Sequence, residues 1–421
     1  MIIELHLLHS FPVSNLNRDQ LGQPKSARFG GVTRARISSQ SLKRAAREGL
    51  SEHGMAQDDI GARSKRYAQE AADLLASEHG KDRDRACQLA GLALQAMGLS
   101  WDEQNEKLSY LLFLPATAPR TLADACAQSW DTLDAALTKR EAARAARQKK
   151  KGKEEGKQEG NFPTHKEWIA SLRKGPRNGP AGPLHKFASE ATGPFLSPGQ
   201  AVDIALFGRM IADHADKTMT AASQVAHSLS THGVTTDFDY FSALDDYSAN
   251  EEEIKPGAGM LGTIEFNAAC YYRYANLDIT QLRENLTLAS ETLDEGLVAQ
   301  AARAWLRTFI HAVPKGKQAT MSAQTMPETL LAVVRDHGSW NLANAYLRPV
   351  SDTEDLMLTS TQRLLHHYRK IAGFYGQEQI RKAVFHTLAD GLDDSATALL
   401  SPMNTFEEFI TSTLDAAEVH P

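Results

Sequence analysis

Apolar and polar residues alternate in several stretches of the chain, and this alternation predicts β-strands. The first stretch shows the pattern, because Ile3, Leu5 and Leu7 fall at every second position, as the inward-facing positions of a strand do. The predicted strands lie at residues 1–10, 31–37, 199–210, 261–278 and 328–336.

Other stretches place apolar residues three and four positions apart, which predicts amphipathic helices. The first follows Ser39, a residue type that caps helix N-termini, and it places Leu42, Ala45, Ala46 and Leu50 on one side. Further helices are predicted over residues 55–130, 219–233, 279–313 (in two pieces), 359–376 and 377–392.

The order of these elements is strand, helix, strand, strand, helix, strand once a helical and a polar insertion are set aside. This is the split βαβ pattern of ferredoxin-like and RNA-recognition-motif domains. The predicted fold class is therefore α+β, with a ferredoxin-like or RNA-recognition-motif domain that carries two insertions. In that fold the central strands and the N-terminus of the first helix share the side on which RNA is often bound.

The composition is that of an ordinary globular protein, with 421 residues, of which 42% are hydrophobic and 23% charged. No apolar run reaches the roughly 18–20 residues that cross a bilayer, so no membrane span is expected. The first ten residues include Glu4 and lack a basic leader, so a secretory signal is not expected either. Three widely spaced cysteines (Cys87, Cys126 and Cys270) are typical of a reducing cytoplasm. The formal net charge of −6 argues against indiscriminate nucleic-acid binding.

Positive charge is nevertheless concentrated near the start of the chain. Between residues 18 and 47 there are eight basic side chains and one acid, Asp19. Short hydrogen-bonding residues open the first helix, where the helix dipole favours phosphate, and the glycines of "FGG" at 29–31 allow close approach of the backbone. We therefore predict a phosphate-backbone site here, the alternative being a solvated charged face. The basic and hydrogen-bonding residues are Arg18, Lys25, Arg28, Arg34, Arg36, Ser38, Ser39, Gln40, Lys43, Arg44 and Arg47.

We find no sequence motif that indicates a cofactor, a metal site or a Ser-His or Cys-His nucleophilic pair. "GAGMLG" at 257–262 matches a nucleotide-binding pattern, but it follows a polar loop and precedes a predicted strand, whereas a nucleotide site needs a strand before it and a helix after it. Asp19 could assist a metal or act as a base, although an acid in this context more often orders a turn. The basic run at 139–157 is interpreted as a solvated helix end that passes into a loop, with a secondary nucleic-acid contact as the alternative.

Seven segments of the chain resemble the CasC family, the backbone subunits of the type I-E CRISPR surveillance complex, Cascade. They are "LNRD" at 16–19, "FGG" at 29–31, "RISSQSLKRA" at 36–45, "VDIALFGRM" at 202–210, "AHSLSTHGVTTDFDYFSALDD" at 226–246, "LGTIEFNAACYYRYANLD" at 261–278 and "LANAYLRP" at 342–349. The match lies outside residues 51–195 and the C-terminal helices.

The resemblance implies a subunit shaped like a right hand. The implied parts are a palm at 1–50, 196–210 (one strand) and 261–421, helical fingers at 51–195 with a basic loop near 139–160, and a thumb at 211–260. Copies of such a subunit polymerise along one guide RNA (crRNA), and each thumb kinks the RNA so that short runs of bases stay free to pair with target DNA.

The resemblance also implies the binding residues and partners. Carried over by motif, Arg18, Lys25, Ser38, Gln40, Lys43, Arg44 and Arg47 would hold the RNA backbone, Arg34 and Arg36 join them as part of the basic segment, and Met210 would lie beside the kinked nucleotide. The implied partners are crRNA, target DNA through the crRNA, further copies of the chain and subunits of the CasA, CasB, CasD and CasE types, without a membrane. The expected subunit is not an enzyme. The alternative is a metal-dependent ribonuclease subunit of a type III-like effector that uses Asp19.

Overall fold

A 13-residue strand, β1 (Ile2–Ser14), runs through the middle of the main sheet. It pairs antiparallel with β11 (Met260–Asp278) on one side and with β12 (Thr329–Arg335) on the other. Residues 3–8 of β1 are all buried, because helices cover both faces of this sheet. The strands predicted over residues 1–10, 261–278 and 328–336 are confirmed as β1, β11 and β12.

The computed structural model describes residues 1–151, 184–243, 260–288, 293–351, 355–393 and 397–420. The chain forms two compact units. The first, called the sheet unit, comprises Met1–Met55, Ala221–Thr287 and Thr292–Pro421. The second, called the helical unit, comprises Ala56–Thr220 and Leu288–Glu291.

The sheet unit contains one large mixed sheet. Besides β1, β11 and β12, its strands are β2 (Ser26–Phe29), β3 (Val32–Ile37), β8 (Ser223–Val225), β9 (Ser228–Ser230), β10 (Asp237–Ala243), β13 (Ile380–Thr387) and β14 (Ser401–Pro402). The main path of the sheet runs β14–β13–β12–β1–β11–β9–β3–β2, and β8 and β10 also pair with β11.

Helices pack on both faces of the sheet. On one face the Arg273 guanidinium of β11 donates to the carbonyl of Phe309, in the helix Glu295–His311, at 2.6 Å. On the other face Tyr272 of the same strand packs against Tyr346, with ring centroids 5.5 Å apart, in a cluster that includes Leu364 of the helix Leu356–Tyr375. The helices of this unit are α1 (Ser39–Gly49), α8 (Ile279–Thr287), α9 (Glu295–His311), α10 (Gln318–Met321), α11 (Leu356–Tyr375) and α12 (Phe406–Ala416).

The helical unit is built mainly from alanine-rich helices. In α3 ten of the fourteen residues are buried, and Gly91 leaves room for the Trp101 ring, which a Cβ at that position would approach to 2.6 Å. The helices are α2 (Tyr67–His79), α3 (Arg83–Ala96), α4 (Ala118–Gln128), α5 (Trp130–Lys151), α6 (His185–Phe195) and α7 (Val202–Phe207), and the strand pairs are β4 (Gly61–Ser64) with β7 (Leu112–Pro115) and β5 (Trp101–Asp102) with β6 (Lys107–Leu108).

The α+β class is confirmed, but the strand predicted over 199–210 is wrong. Val202–Phe207 form helix α7, which belongs to the helical unit. All six of its residues are buried, and the Asp203 carboxylate accepts the Gly61 N–H at 2.7 Å. A short apolar run that is buried on every side has no amphipathic period, so alternation could not distinguish helix from strand here.

Two predicted helices are also wrong. The segment 377–392 contains strand β13, which pairs antiparallel with β12 from Arg335 to Thr329. The segment 219–233 contains the short strands β8 and β9, both paired with β11. In both cases hydrogen bonding to an existing strand outweighs the helical spacing of the apolar residues. The two helices predicted over 279–313 and the helix over 359–376 are confirmed as α8, α9 and α11.

Candidate nucleic-acid interface

The candidate interface is centred on the start of helix α1, directly after strand β3. The N-cap is Ser38 rather than the predicted Ser39, because Ser38 has extended backbone angles and its hydroxyl accepts the Ser41 N–H at 3.4 Å. The helix is anchored through buried Leu42 and Ala46. Its outer side therefore faces away from the core.

The loop that precedes β2 is tied to this N-terminus through Asn17. The Asn17 side-chain oxygen accepts the Ser38 N–H at 2.8 Å, and its carbonyl accepts the Lys25 N–H at 2.9 Å. Arg18 forms a β-bridge with Pro24. Backbone and amide contacts thus hold Arg18 and Lys25 beside the first turn of α1. These contacts do not involve the charged groups of the two side chains.

His227 stands at the same N-terminus and is a residue that the sequence did not single out. Its Nδ1 accepts the Ser39 N–H at 3.1 Å and lies 3.4 Å from Nη1 of Arg36. With Nδ1 as acceptor, the imidazole is neutral and carries its proton on Nε2. Partial burial, Arg36 and Lys25 all lower the pKa of His227. The only sequence signal is its position in the matched segment 226–246.

Two arginines of β3 have different surroundings, although they stand two residues apart. Arg36 is half-buried, and its Nε donates to the Ser26 carbonyl at 3.3 Å. Arg34 is completely buried, and its guanidinium donates to the carbonyls of Phe29, Ser230 and Tyr346 at 3.2, 3.1 and 2.7 Å. The prediction that Arg34 contacts RNA is therefore wrong, because its side chain is completely buried and binds three main-chain carbonyls of the protein.

Gly30 explains two of the matched segments together. It has φ +62°, and a Cβ at this position would lie 1.6 Å from the carbonyl oxygen of Leu347. The "FGG" turn can therefore pack against the "LANAYLRP" segment only with glycine there. Arg34 fastens the same two segments through Phe29 and Tyr346.

The outer side of α1 carries the remaining predicted cations. Gln40 and Arg44 are exposed, whereas Lys43 and Arg47 are partly buried. Arg44 donates to Glu48 one turn later at 2.8 Å, and this contact is the first cause that lowers the pKa of the Glu48 carboxyl. The structure thus brings the remaining predicted binding cations onto or beside one helix, namely Arg18, Lys25, Arg36, Lys43, Arg44 and Arg47.

Met210 belongs to the other unit, the helical unit, and is 80% exposed. It directly follows Arg209, which is buried, donates to the Phe113 and Leu196 carbonyls and forms a β-bridge with Met219. The main chain before Met210 is therefore fixed, while its large apolar side chain lies at the surface. Met210 is not a buried core residue.

Several other predicted features are placed as follows. Asp19 Oδ1 accepts the N–H groups of Leu21 and Gln23 at 2.8 and 2.9 Å, which is a turn-ordering role. Within the described ranges no group of three or more His, Cys, Asp or Glu could hold a metal ion. The described helices include none that is long and apolar enough to span a membrane.

The basic run at 139–157 starts inside helix α5, and Arg140 is buried and pairs with Glu103. Its residues from 152 onward lie outside the described residues, as do 244–259 of the predicted thumb, which include the first three residues of the "GAGMLG" motif. The role proposed for the whole run therefore stays a prediction.

Comparison with known proteins gives a family and two similar structures. The family model described as CT1975-like protein matches residues 3–412. A chain of a structure described as "CRISPR RNA-guided surveillance complex, pre-nicking" has 26% sequence identity and a TM-score of 0.75, over 99% of this chain and 100% of that chain. A chain of a second "CRISPR RNA-guided surveillance complex" has 23% identity and a TM-score of 0.66 over the same shares, which shows a common fold. No curated protein matches the sequence.

Proposed function

The chain belongs to the CT1975-like protein family, and from this premise we propose that it is the subunit that binds the guide RNA (crRNA) in a Cascade-type surveillance complex. The resemblance to CasC-type subunits drawn from the sequence is confirmed. In the proposed function, copies of the chain polymerise along one crRNA in a type I-E complex, kink it at regular intervals and present it for pairing with target DNA in antiviral defence.

One observation carries this proposal: phosphate-binding groups converge at the N-terminus of α1. Asn17 and His227 hold the first turn of the helix, while Arg18, Lys25 and Arg36 stand beside it. Cations bind phosphate without reading bases, and the dipole of α1 adds to that attraction, although the N–H groups of Ser38, Ser39 and Ser41 already donate to Asn17, His227 and the Ser38 hydroxyl. A site of this kind grips an RNA backbone and leaves the sequence to be read by base pairing.

Local rather than global positive charge suits a subunit that must also stack against copies of itself. The whole chain has a net charge of −6, so its affinity for nucleic acid must come from local basic surfaces such as this one. In the proposed assembly the other partners are subunits of the CasA, CasB, CasD and CasE types, and the complex works in the cytoplasm without a membrane.

The strand order supports a palm of the RNA-recognition-motif type. In that fold the first strand lies between the two later ones, and β1 here lies between β11 and β12. We assign the fingers to residues 51–195 and the thumb to 211–260, of which residues 211–243, including strand β10, are described. Met210, just before the thumb, is the proposed wedge beside each kinked nucleotide, because an exposed thioether can pack against any base.

The proposed subunit has no catalytic activity of its own. Asp19, the acid that the ribonuclease alternative requires, is engaged by the Leu21 and Gln23 N–H groups. Assembled complex should therefore leave complementary RNA intact in the presence of Mg²⁺ or Mn²⁺. Cleavage at regular intervals that Asp19→Ala abolishes would establish the ribonuclease instead.

Co-purification tests the proposal directly. The chain is expressed together with a CRISPR array and the other subunits of its complex, and bound nucleic acid is extracted and sequenced. The proposal predicts a discrete small RNA that contains array sequence. A complex that assembles without RNA, or with fragments of cellular RNA of every length, would reject the guide-binding role.

A further inference from the structure

The loop between α9 and α10, "VPKGKQ" at 313–318, contains two lysines that lie outside the predicted binding set. We call it the lysine loop. Its position is fixed by Gly316, because a Cβ there would lie 2.3 Å from the Leu16 carbonyl oxygen and 2.7 Å from that of Asn15. The loop therefore packs against the main chain that continues into Asn17 and Arg18.

The lysine loop is also connected to α1 through Glu48. One carboxylate oxygen of Glu48 lies 3.0 Å from Nζ of Lys315, and the other lies 2.8 Å from Nε of Arg44. The two cationic side chains are 80% and 76% exposed, whereas that of Glu48 is only 28% exposed. A single carboxylate thus holds two exposed cations from different segments, and each cation has further N–H donors.

The second lysine of the loop occupies an unfavourable backbone conformation. Lys317 has φ +53° and ψ +20°, in the left-handed region that residues other than glycine seldom adopt. The loop closes through the Gln318 amide, which donates to the Pro314 carbonyl at 3.1 Å. The surrounding contacts therefore hold a lysine where a glycine would be less strained, and such positions are concentrated at binding sites.

We propose that the lysine loop is a further segment of the RNA-backbone site, in which Lys315 and Lys317 contact phosphates, and that Glu48 limits the affinity of this site. Glu48 keeps Arg44 and Lys315 in place when RNA is absent, and phosphate oxygens take its position when RNA binds. This inference rests on the proposed function, because it assigns residues and a control to the same site.

Removal of a positive charge from the lysine loop should weaken RNA binding, whereas removal of the negative charge of Glu48 should strengthen it. Binding of a fluorescently labelled, unstructured single-stranded RNA to the full chain is measured by anisotropy over a series of salt concentrations. Lys315→Ala and Lys317→Ala should each lower the slope of log K against log salt by about 0.7, the value for one contact with single-stranded nucleic acid. Glu48→Gln should instead tighten binding about 2- to 5-fold, the typical worth of an exposed ion pair.

A double variant shows whether Glu48 acts through the loop. If it does, Glu48→Gln should tighten binding less in the Lys315→Ala background than in the natural chain, because one of the two released cations is missing. The matched control is the pair Lys186 and Glu190 of the helical unit, also exposed and one helical turn apart. Lys186→Ala and Glu190→Gln should leave both the affinity and the salt slope unchanged.

The outcomes separate this inference from the proposed function. If Lys43→Ala lowers the salt slope and the two loop variants do not, the lysine loop is outside the site and the inference fails alone. If Lys43→Ala also has no effect, the proposed function fails with it. Weaker binding by Glu48→Gln, in step with a lower melting temperature, would show that Glu48 only supports the fold and would overturn its controlling role.

Discussion

The guanidinium of Arg34 donates a hydrogen bond to the main-chain carbonyl of Tyr346 at 2.7 Å, across 312 residues of sequence. Arg34 also donates to the carbonyls of Phe29 and Ser230. This buried side chain therefore connects the "FGG" turn, strand β9 and the "LANAYLRP" segment by hydrogen bonds. Arg36, two residues later, stands at the candidate interface. The two neighbouring arginines should therefore respond differently to truncation.

Arg34→Ala should lower the free energy of unfolding by at least about 3 kcal/mol, because three buried carbonyls lose their donor. Arg36→Ala should change it by no more than about 0.5–1 kcal/mol and should instead lower the salt slope of RNA binding. Chemical denaturation and anisotropy measure the two quantities. Equal stability losses in both variants would contradict the division of roles.

His227 should make the fold sensitive to mild acid. Its pKa is lowered in the folded protein, so the folded state prefers the neutral ring, and the stability that this ring contributes is present above its unfolded pKa of about 6.5. That stability is lost as the pH falls toward the lowered pKa of the folded state.

The free energy of unfolding of the natural chain and of His227→Leu is therefore compared at pH 7.5 and 5.5. At pH 7.5 the natural chain should be more stable by about 0.5–1 kcal/mol, the worth of one hydrogen bond. At pH 5.5 this difference should shrink. A constant difference would mean that protonation of His227 does not break its contact with Ser39.

Glu4 should give the opposite pH dependence. It lies in the centre of the sheet, 1% exposed, where burial raises its pKa to about 7, while the Trp340 N–H, Arg335 and the Tyr274 hydroxyl partly oppose that rise. A carboxyl with a raised pKa stabilises the fold less once it must ionise, so its contribution declines as the pH rises from about 4.5 through 7.

The free energy of unfolding should therefore contain a component that falls by about 3 kcal/mol between pH 4.5 and 8. Glu4→Gln keeps acceptors for Trp340 and Tyr274 but cannot ionise, so this component should be absent from the variant. Denaturation at a series of pH values measures it. Parallel pH profiles for the two proteins would show that Glu4 is already ionised over this range.

Met210→Ala separates a wedge from a structural residue. Because Met210 is 80% exposed, its truncation should change the free energy of unfolding by less than about 0.5 kcal/mol. In the assembled complex, chemical probing of the crRNA should show weaker periodic reactivity, since the kinked nucleotide loses its apolar neighbour. An unchanged periodic pattern would remove Met210 from the interface.

The parts of the fold that the sequence predicted are those with a long and regular pattern. Strand β11 alternates through Cys270, Tyr272 and Tyr274, and helix α9 repeats its apolar face through Leu297, Ala301 and Trp305, all of them buried. Such elements are long enough for one period to dominate. Helix α7 and strands β8 and β9 have six residues or fewer, so contacts with distant segments decided their conformation.

The candidate site was predicted as a set of charges but not as an arrangement. A count of cations near residue 30 identified the basic segment, yet burial of Arg34 depends on carbonyls at Ser230 and Tyr346 that lie far away in sequence. His227 and Lys315 reach α1 only because β9 and the lysine loop pack beside it. Side chains brought in by tertiary contacts leave no local pattern, which is why both residues were missed.

Recognition of the RNA backbone by this surface can be measured through the salt dependence of RNA binding, because backbone recognition releases counterions in proportion to the phosphates contacted. Arg18→Ala and Lys43→Ala are each compared with the natural chain on two single-stranded RNAs of unrelated sequence, with Lys186→Ala as the control. If the site binds the RNA backbone, each of the first two variants should weaken binding equally on both RNAs and lower the salt slope by about 0.7. An unchanged slope in both variants, or a loss confined to one RNA sequence, would contradict it.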